Sequence, residues 1–157
     1  MKSMFDILVK EQTRPIKVIE RSIFSSRYLF TNMAFDKKLL TNRQYSLLIS
    51  YFESLVNSGN VPEINKIIYL DMPIDVCHSR VTSRNRNEEM NIPIKYLETL
   101  NMYYDNWLTK NMYPLCAKSI THLKLNENDT IGYMRKCINE IMFNNFDDDT
   151  SFVNMLK

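Results

Sequence analysis

The stretch Arg80-Val-Thr-Ser-Arg84-Asn-Arg86-Asn-Glu88-Glu89, running on into Met90-Asn-Ile-Pro93-Ile-Lys-Tyr96-Leu97, decides how the rest of the chain is read. Three arginines spaced four and two apart end in two adjacent carboxylates, and Pro93 then opens an amphipathic helix. A guanidinium is a permanent planar cation that grips phosphate through two parallel hydrogen bonds. Arginines gathered in one segment therefore fit a polyphosphate. The carboxylates beside them would repel that phosphate and suit a hydroxyl-bearing neighbour such as a sugar. A solvated basic loop with its own counter-charges fits the same composition, so the segment alone leaves both readings open.

Composition narrows the class around this segment. A chain of 157 residues with 45% apolar content is sized for one domain with a real core. The net charge of +2 is too small to argue for nucleic acid, and basic residues are dispersed except over 80–86. Cys77, Cys116 and Cys137 form no CxxC pair and have only His78 and His122 to join them, so reduced thiols are expected rather than a metal or disulfide framework. No apolar run reaches the ~18 residues of a membrane span, and no signal-type N-terminus is visible, so a cytoplasmic protein is expected. Only Gly59 and Gly132 are present, and no GxxxxGK[ST] or GxGxxG occurs.

Periodicity places the elements. Ile16-Lys-Val-Ile-Glu20 reads as a buried strand, Ile64–Leu70 as a second and Thr121–Leu125 as a third. Helices are expected from Ser25 to about Phe35, and from Thr41 through Ser58 with Gly59 as terminator. Others should run from Pro73 through Val81, from Pro93 through Leu108, and from the Asn126–Asp129 turn to about Phe143, with Asp147–Lys157 a loose tail. Strands alternating with long helices predict a mostly parallel α/β sheet covered on both faces, with ligands at the carboxyl ends of its strands. Glu20-Arg21-Ser22 and Asp71-Met-Pro73 stand at two such ends.

Glu20-Arg21-Ser22-Ile-Phe-Ser-Ser26-Arg27-Tyr28-Leu-Phe30, then Ile67-Ile68-Tyr69-Leu70, then Arg84-Asn-Arg86-Asn-Glu88-Glu89 through Pro93, Tyr96 and Glu98 to Trp107-Leu108 resemble the deoxynucleoside kinases. The likeness covers about residues 5–140 in the right order. It implies a P-loop-kinase-like α/β fold of three layers and an ATP- and Mg2+-dependent transfer of phosphate to the 5′-hydroxyl of a deoxynucleoside. By that resemblance Arg84 and Arg86 close over the phosphates from a lid at about 80–92, and Arg80 lies under the adenine. Glu89 accepts from the deoxyribose 3′-hydroxyl. Glu20 helps hold magnesium through its waters, and Arg21 braces the 5′-oxygen and the catalytic base. Phe30 stacks on the base, and Ser26 stands where thymidine-accepting members carry a small residue, which leans the specificity toward pyrimidines. A plain strand-end ion pair for Glu20–Arg21 and a plain core role for Phe30 are the alternatives.

The family also begins with a strand, a GxxGxGK[ST] phosphate loop with its helix, and a second strand bearing the general base. None of these is found in the 157 residues. The resemblance therefore implies a partial kinase domain over 1–157 that is inactive alone, with strand 16–20 left without its neighbour and strand 66–71 showing an unpaired edge. A separate N-terminal polypeptide, direct pairing of the two strands, or a fragmentary sequence would each account for this. The implied partners are a deoxynucleoside and a second copy of the chain, since the helices matching 25–35 and 41–58 form much of the family's homodimer interface. A non-catalytic remnant serving as a dimerisation or regulatory module is the rival from another class. A thymidylate-kinase-like enzyme is disfavoured by the run from Arg84 to Leu97.

Overall fold

The computed structural model describes residues 1–11, 13, 16–89, 91–114, 116–129 and 131–143; the tail expected over 147–157 lies outside them. The fold is helix-rich with one small parallel two-stranded sheet, consistent with a P-loop-kinase-like α/β protein. It forms two compact units, one of residues 1–65 and 92–118, the other of 66–91 and 119 onward.

The first unit is a helical cluster. It starts with α1 (Lys2–Val9), which buries Leu8. A helical stretch α2 covers 23–36, built as Ile23–Ser25, a π-helical turn Ser26–Thr31 and Asn32–Asp36. Ser22 starts it with a capping box, accepting from the Phe24 amide while the Ser25 hydroxyl accepts from the Ser22 amide. Within the π turn the Thr31 hydroxyl donates to the Ser26 carbonyl five residues back at 2.8 Å. Such turns cluster at functional sites.

Helix α3 (Asn42–Asn57) is opened by a second capping box, Thr41 with Gln44, and stops where Gly59 takes φ +73. Tyr45, Leu48, Ile49, Phe52, Leu55 and Val56, at helical spacing along it, are all buried or half-buried. Helix α5 (Ile94–Tyr104) continues into a π turn, Asp105–Thr109, and buries Tyr103, Trp107 and Leu108. The core is aromatic. Tyr28 stacks on Tyr113 at 5.3 Å, meets Trp107 at 5.5 Å, and takes the edge of Phe52 at 5.9 Å, while Ile23 and Leu29 are fully enclosed.

The second unit holds α4 (Ile74–Arg84), a short 3-10 turn (Asn87–Glu89), α6 (Ile131–Phe143) and most of the sheet. The sheet pairs β1 (Ile64–Asp71) with β2 (Ala117–Lys124). Its register sets Tyr69 against His122, ring edge to face at 5.3 Å, and brings the Leu125 amide to the Asp71 carbonyl at 2.8 Å. The lysine Lys66 reaches from β1 to the Ile141 carbonyl of α6 at 3.4 Å.

Two expectations need correction. Residues 16–19 form no strand, and Val18 is 72% exposed. A β-branched run becomes a strand only with a hydrogen-bonding neighbour and a covering layer. Here the segment is tethered instead by Lys17, whose ammonium donates to the Leu8 and Lys10 carbonyls at the end of α1 at 2.9 and 2.7 Å. The arginine-rich segment is also not a loop throughout. Helix α4 runs on to Arg84, so Arg80 and Arg84 share a helix face, and the chain breaks only at Asn85, in the left-handed region at φ 48.

Candidate functional site

The candidate residues fall into two groups, one in each unit. In the first unit Glu20 and Arg21 sit on the exposed turn ahead of α2. Arg21 adopts φ +63, a backbone state that costs a non-glycine residue of order 1 kcal/mol or more and recurs at ligand sites. Its guanidinium lies over the Phe30 ring at 5.1 Å and donates to the Tyr104 hydroxyl. Burial pushes that hydroxyl above its ordinary value, Arg21 pulls it back, and Glu20 raises it again. Tyr104 is thus a member of this group that the sequence reading did not assign to the site. Its signal was weak, since 104 belongs to the same helical stripe as core residues 100, 103 and 107.

Ser26 lies in the π turn of α2, four positions before Phe30, and its hydroxyl donates to the Met4 sulfur of α1 at 3.0 Å. The side chain at this position is therefore small and bonded to a thioether, with no ionised group attached. Arg27, adjacent in sequence, is structural: it donates to the Asn32 side chain at 2.6 Å and covers the Tyr28 and Tyr45 rings, each at 5.7 Å.

In the second unit the residues of the arginine-rich segment converge. Arg84 donates through Nε at 2.9 Å and Nη2 at 2.5 Å to the same Glu89 oxygen, while Arg86 stands 3.7 Å from the other oxygen. Asn85 makes this possible, because its left-handed turn reverses the chain and the 3-10 turn then returns Glu89 toward Arg84. One helical turn earlier, Arg80 donates to the Asp129 carbonyl at 3.2 Å, tying α4 to the turn before α6. Asp129 orders that turn by accepting from the Asn126 amide at 2.7 Å. Three cations on one short segment, two of them well exposed, can receive a polyphosphate. No cluster of three or more metal-ligating side chains exists among the described residues. The exposed carboxylate of Glu20 fits the one-carboxylate manner in which magnesium is held beside phosphates.

An exposed arginine-rich segment on an α/β framework is consistent with the P-loop-kinase-like class. A profile described as "Deoxynucleoside kinase" matches residues 1–146. Human deoxycytidine kinase is 31% identical over 101 residues, covering 64% of this chain and 39% of that protein. Human mitochondrial thymidine kinase 2 is 29% identical over 116 residues, covering 73% of this chain and 43% of that protein. A probable deoxycytidine kinase of fowlpox virus is 30% identical over 94 residues, covering 60% and 40%. The chain belongs to the deoxynucleoside kinase family. It spans about two fifths of the length of these relatives. Among the described residues no helix is long and apolar enough to cross a membrane.

Proposed function

We propose that this chain carries the acceptor and lid side of an ATP-dependent deoxynucleoside 5′-kinase acting in the cytoplasm. The observation that carries the reading is the gathering of Arg84, Arg86 and Glu89 on one short lid of a family member. Phosphoryl transfer spreads charge over the equatorial oxygens of the moving group, and positioned cations are the main catalytic device. Arg84 and Arg86 supply those cations, and Arg80 secures the base of the lid beneath the adenine. Bound Mg-ATP supplies the phosphoryl group and its countercharge. Glu20 would help hold magnesium through its waters. Arg21, held by Phe30 and Tyr104, braces the acceptor oxygen, and Phe30 stacks on the nucleobase. Glu89 accepts from the sugar 3′-hydroxyl. The small, uncharged wall at Ser26 and Met4 supports a lean toward pyrimidines.

The 157 residues contain no phosphate-loop motif, so we assign the phosphate cradle and the general base to a segment outside them and read 1–157 as one partial kinase domain. Two assays test this. The purified chain with Mg-ATP should not phosphorylate thymidine or deoxycytidine above a no-enzyme blank. Joined to the phosphate-loop segment of a relative it should gain turnover, and there Glu89→Ala should raise the nucleoside KM more than it lowers kcat. Turnover by the chain alone, or a Glu89→Ala variant with unchanged KM, contradicts the assignment.

A second reading, a dimerisation module without catalysis, draws on α3. That helix exposes Leu47 at 69% and Tyr51 at 38%, one turn apart. Sedimentation of the chain and of Leu47→Asp decides whether this face pairs two copies. A dimer lost in Leu47→Asp supports the pairing, and a monomeric wild type removes it.

A further inference from the structure

We propose that Glu89 is a latch: an internal stand-in for the phosphate donor that holds Arg84 and Arg86 on itself until a ligand draws the carboxylate away. The proposal rests on the lid reading above. A carboxylate and a phosphate offer a guanidinium the same thing, two anionic oxygens in one plane, so each competes for the same donors. Here both oxygens of Glu89 are engaged, one by two nitrogens of Arg84 and the other by Arg86. The arginine side chains remain 47% and 60% exposed, open to an incoming anion, whereas Glu89 is only 21% exposed beneath them. The backbone builds the contact. Asn85 reverses the chain at φ 48, and the Glu89 amide donates to the Arg86 carbonyl at 2.9 Å, fixing the carboxylate under both guanidinium groups.

The same carboxylate is the one assigned to the sugar hydroxyl, and it cannot serve both partners fully at once. Nucleoside binding therefore frees the arginines, and by linkage each ligand tightens the other. The coupling is bounded by the strength of an exposed ion pair. That bound corresponds to about twofold to fivefold in affinity, roughly 0.4–1 kcal/mol at 1.4 kcal/mol per tenfold.

Inorganic tripolyphosphate titrated into the purified chain at fixed ionic strength tests this, with binding read by calorimetry. Glu89→Gln should bind about twofold to fivefold more tightly than wild type. Glu88→Gln removes the same charge one position away and should gain clearly less, which separates the latch from simple relief of repulsion. Glu89→Ser, checked by circular dichroism, guards against a folding defect particular to one variant. Equal gains in Glu88→Gln and Glu89→Gln, or no gain in either Glu89 variant, overturn the latch. If Arg84→Gln/Arg86→Gln still weakens binding in that case, the phosphate-clamp reading stands without it. If the double arginine variant binds like wild type, or if no protein binds, clamp and latch fall together.

Discussion

Replacing Tyr103 with phenylalanine isolates one polar contact in the aromatic core. Tyr103 is 5% exposed on α5, and its hydroxyl donates to the Asp36 carboxylate at the end of α2. The ring stays in Tyr103→Phe, so no cavity forms and the loss is confined to the hydrogen bond. A bond to a charged group is worth about 1.5–3 kcal/mol. Asp36 is exposed and regains water when the hydroxyl goes, which places the expected loss at about 1–2 kcal/mol at neutral pH. Asp36→Asn should cost less, and a double-mutant cycle should return a coupling of about 1 kcal/mol.

The pH dependence gives the second half of the test. Burial first, and the Asp36 bond second, raise the Tyr103 hydroxyl above its ordinary value. The folded protein therefore keeps this proton to higher pH than the unfolded chain. Its contribution is complete below about pH 10, the unfolded value, and is lost as pH rises through the folded one. Tyr28, Tyr104 and Cys116, the last pushed up to about 11 by burial, steepen the same alkaline limb in both proteins. The difference between wild type and Tyr103→Phe should consequently shrink above about pH 10. Urea unfolding followed by Trp107 fluorescence across neutral and alkaline pH measures it. A variant within about 0.3 kcal/mol of wild type at neutral pH, or a difference that does not change with pH, refutes the reasoning.

Thr41→Ala removes the cap of α3 and should cost about 1 kcal/mol by chemical denaturation, with Thr41→Asn close to neutral. Leu29→Ala should cost about 2–5 kcal/mol because the side chain is fully enclosed. Leu47→Ala, on the exposed face, should stay within about 0.5 kcal/mol of wild type in the monomer. In a form joined to a phosphate-loop segment, thymidine and deoxycytidine should both outcompete deoxyguanosine, and Ser26→Asp should shift preference away from thymidine by about 1–3 kcal/mol in competition assays.

Much of the fold was legible in the sequence because the signals were local. Thr41 with Gln44 and the positive φ of Gly59 bracket α3 where the capping residues place it. Pro73 and Pro93 each stand immediately before a helix, and the β-branched run at 64–70 forms β1. The run at 16–19 was misread because its composition is that of a strand while a strand depends on a neighbour that composition does not report. The π turns at 26–31 and 105–109 were also invisible, since each lies inside a longer helical stretch and has no residue-type signature of its own. At the candidate site, the family motifs carried every proposed residue. They did not carry the pairing of Glu89 with its own arginines, the Met4 sulfur on Ser26, or the Tyr104 hydroxyl on Arg21. The Glu89 pairing turns on a reversal at Asn85 within the segment and matches the counter-charge reading left open above, whereas the other two contacts depend on tertiary approach, which no single segment encodes.

The kcat of Arg86→Ala against wild type, both joined to a phosphate-loop segment and assayed with Mg-ATP and saturating thymidine, tests the central claim most directly. A contact made mostly in the transition state is worth about 2–4 kcal/mol, so kcat should fall about thirtyfold to a thousandfold with little change in thymidine KM. An unchanged kcat contradicts the assignment of Arg86, and with it the lid, to phosphoryl transfer.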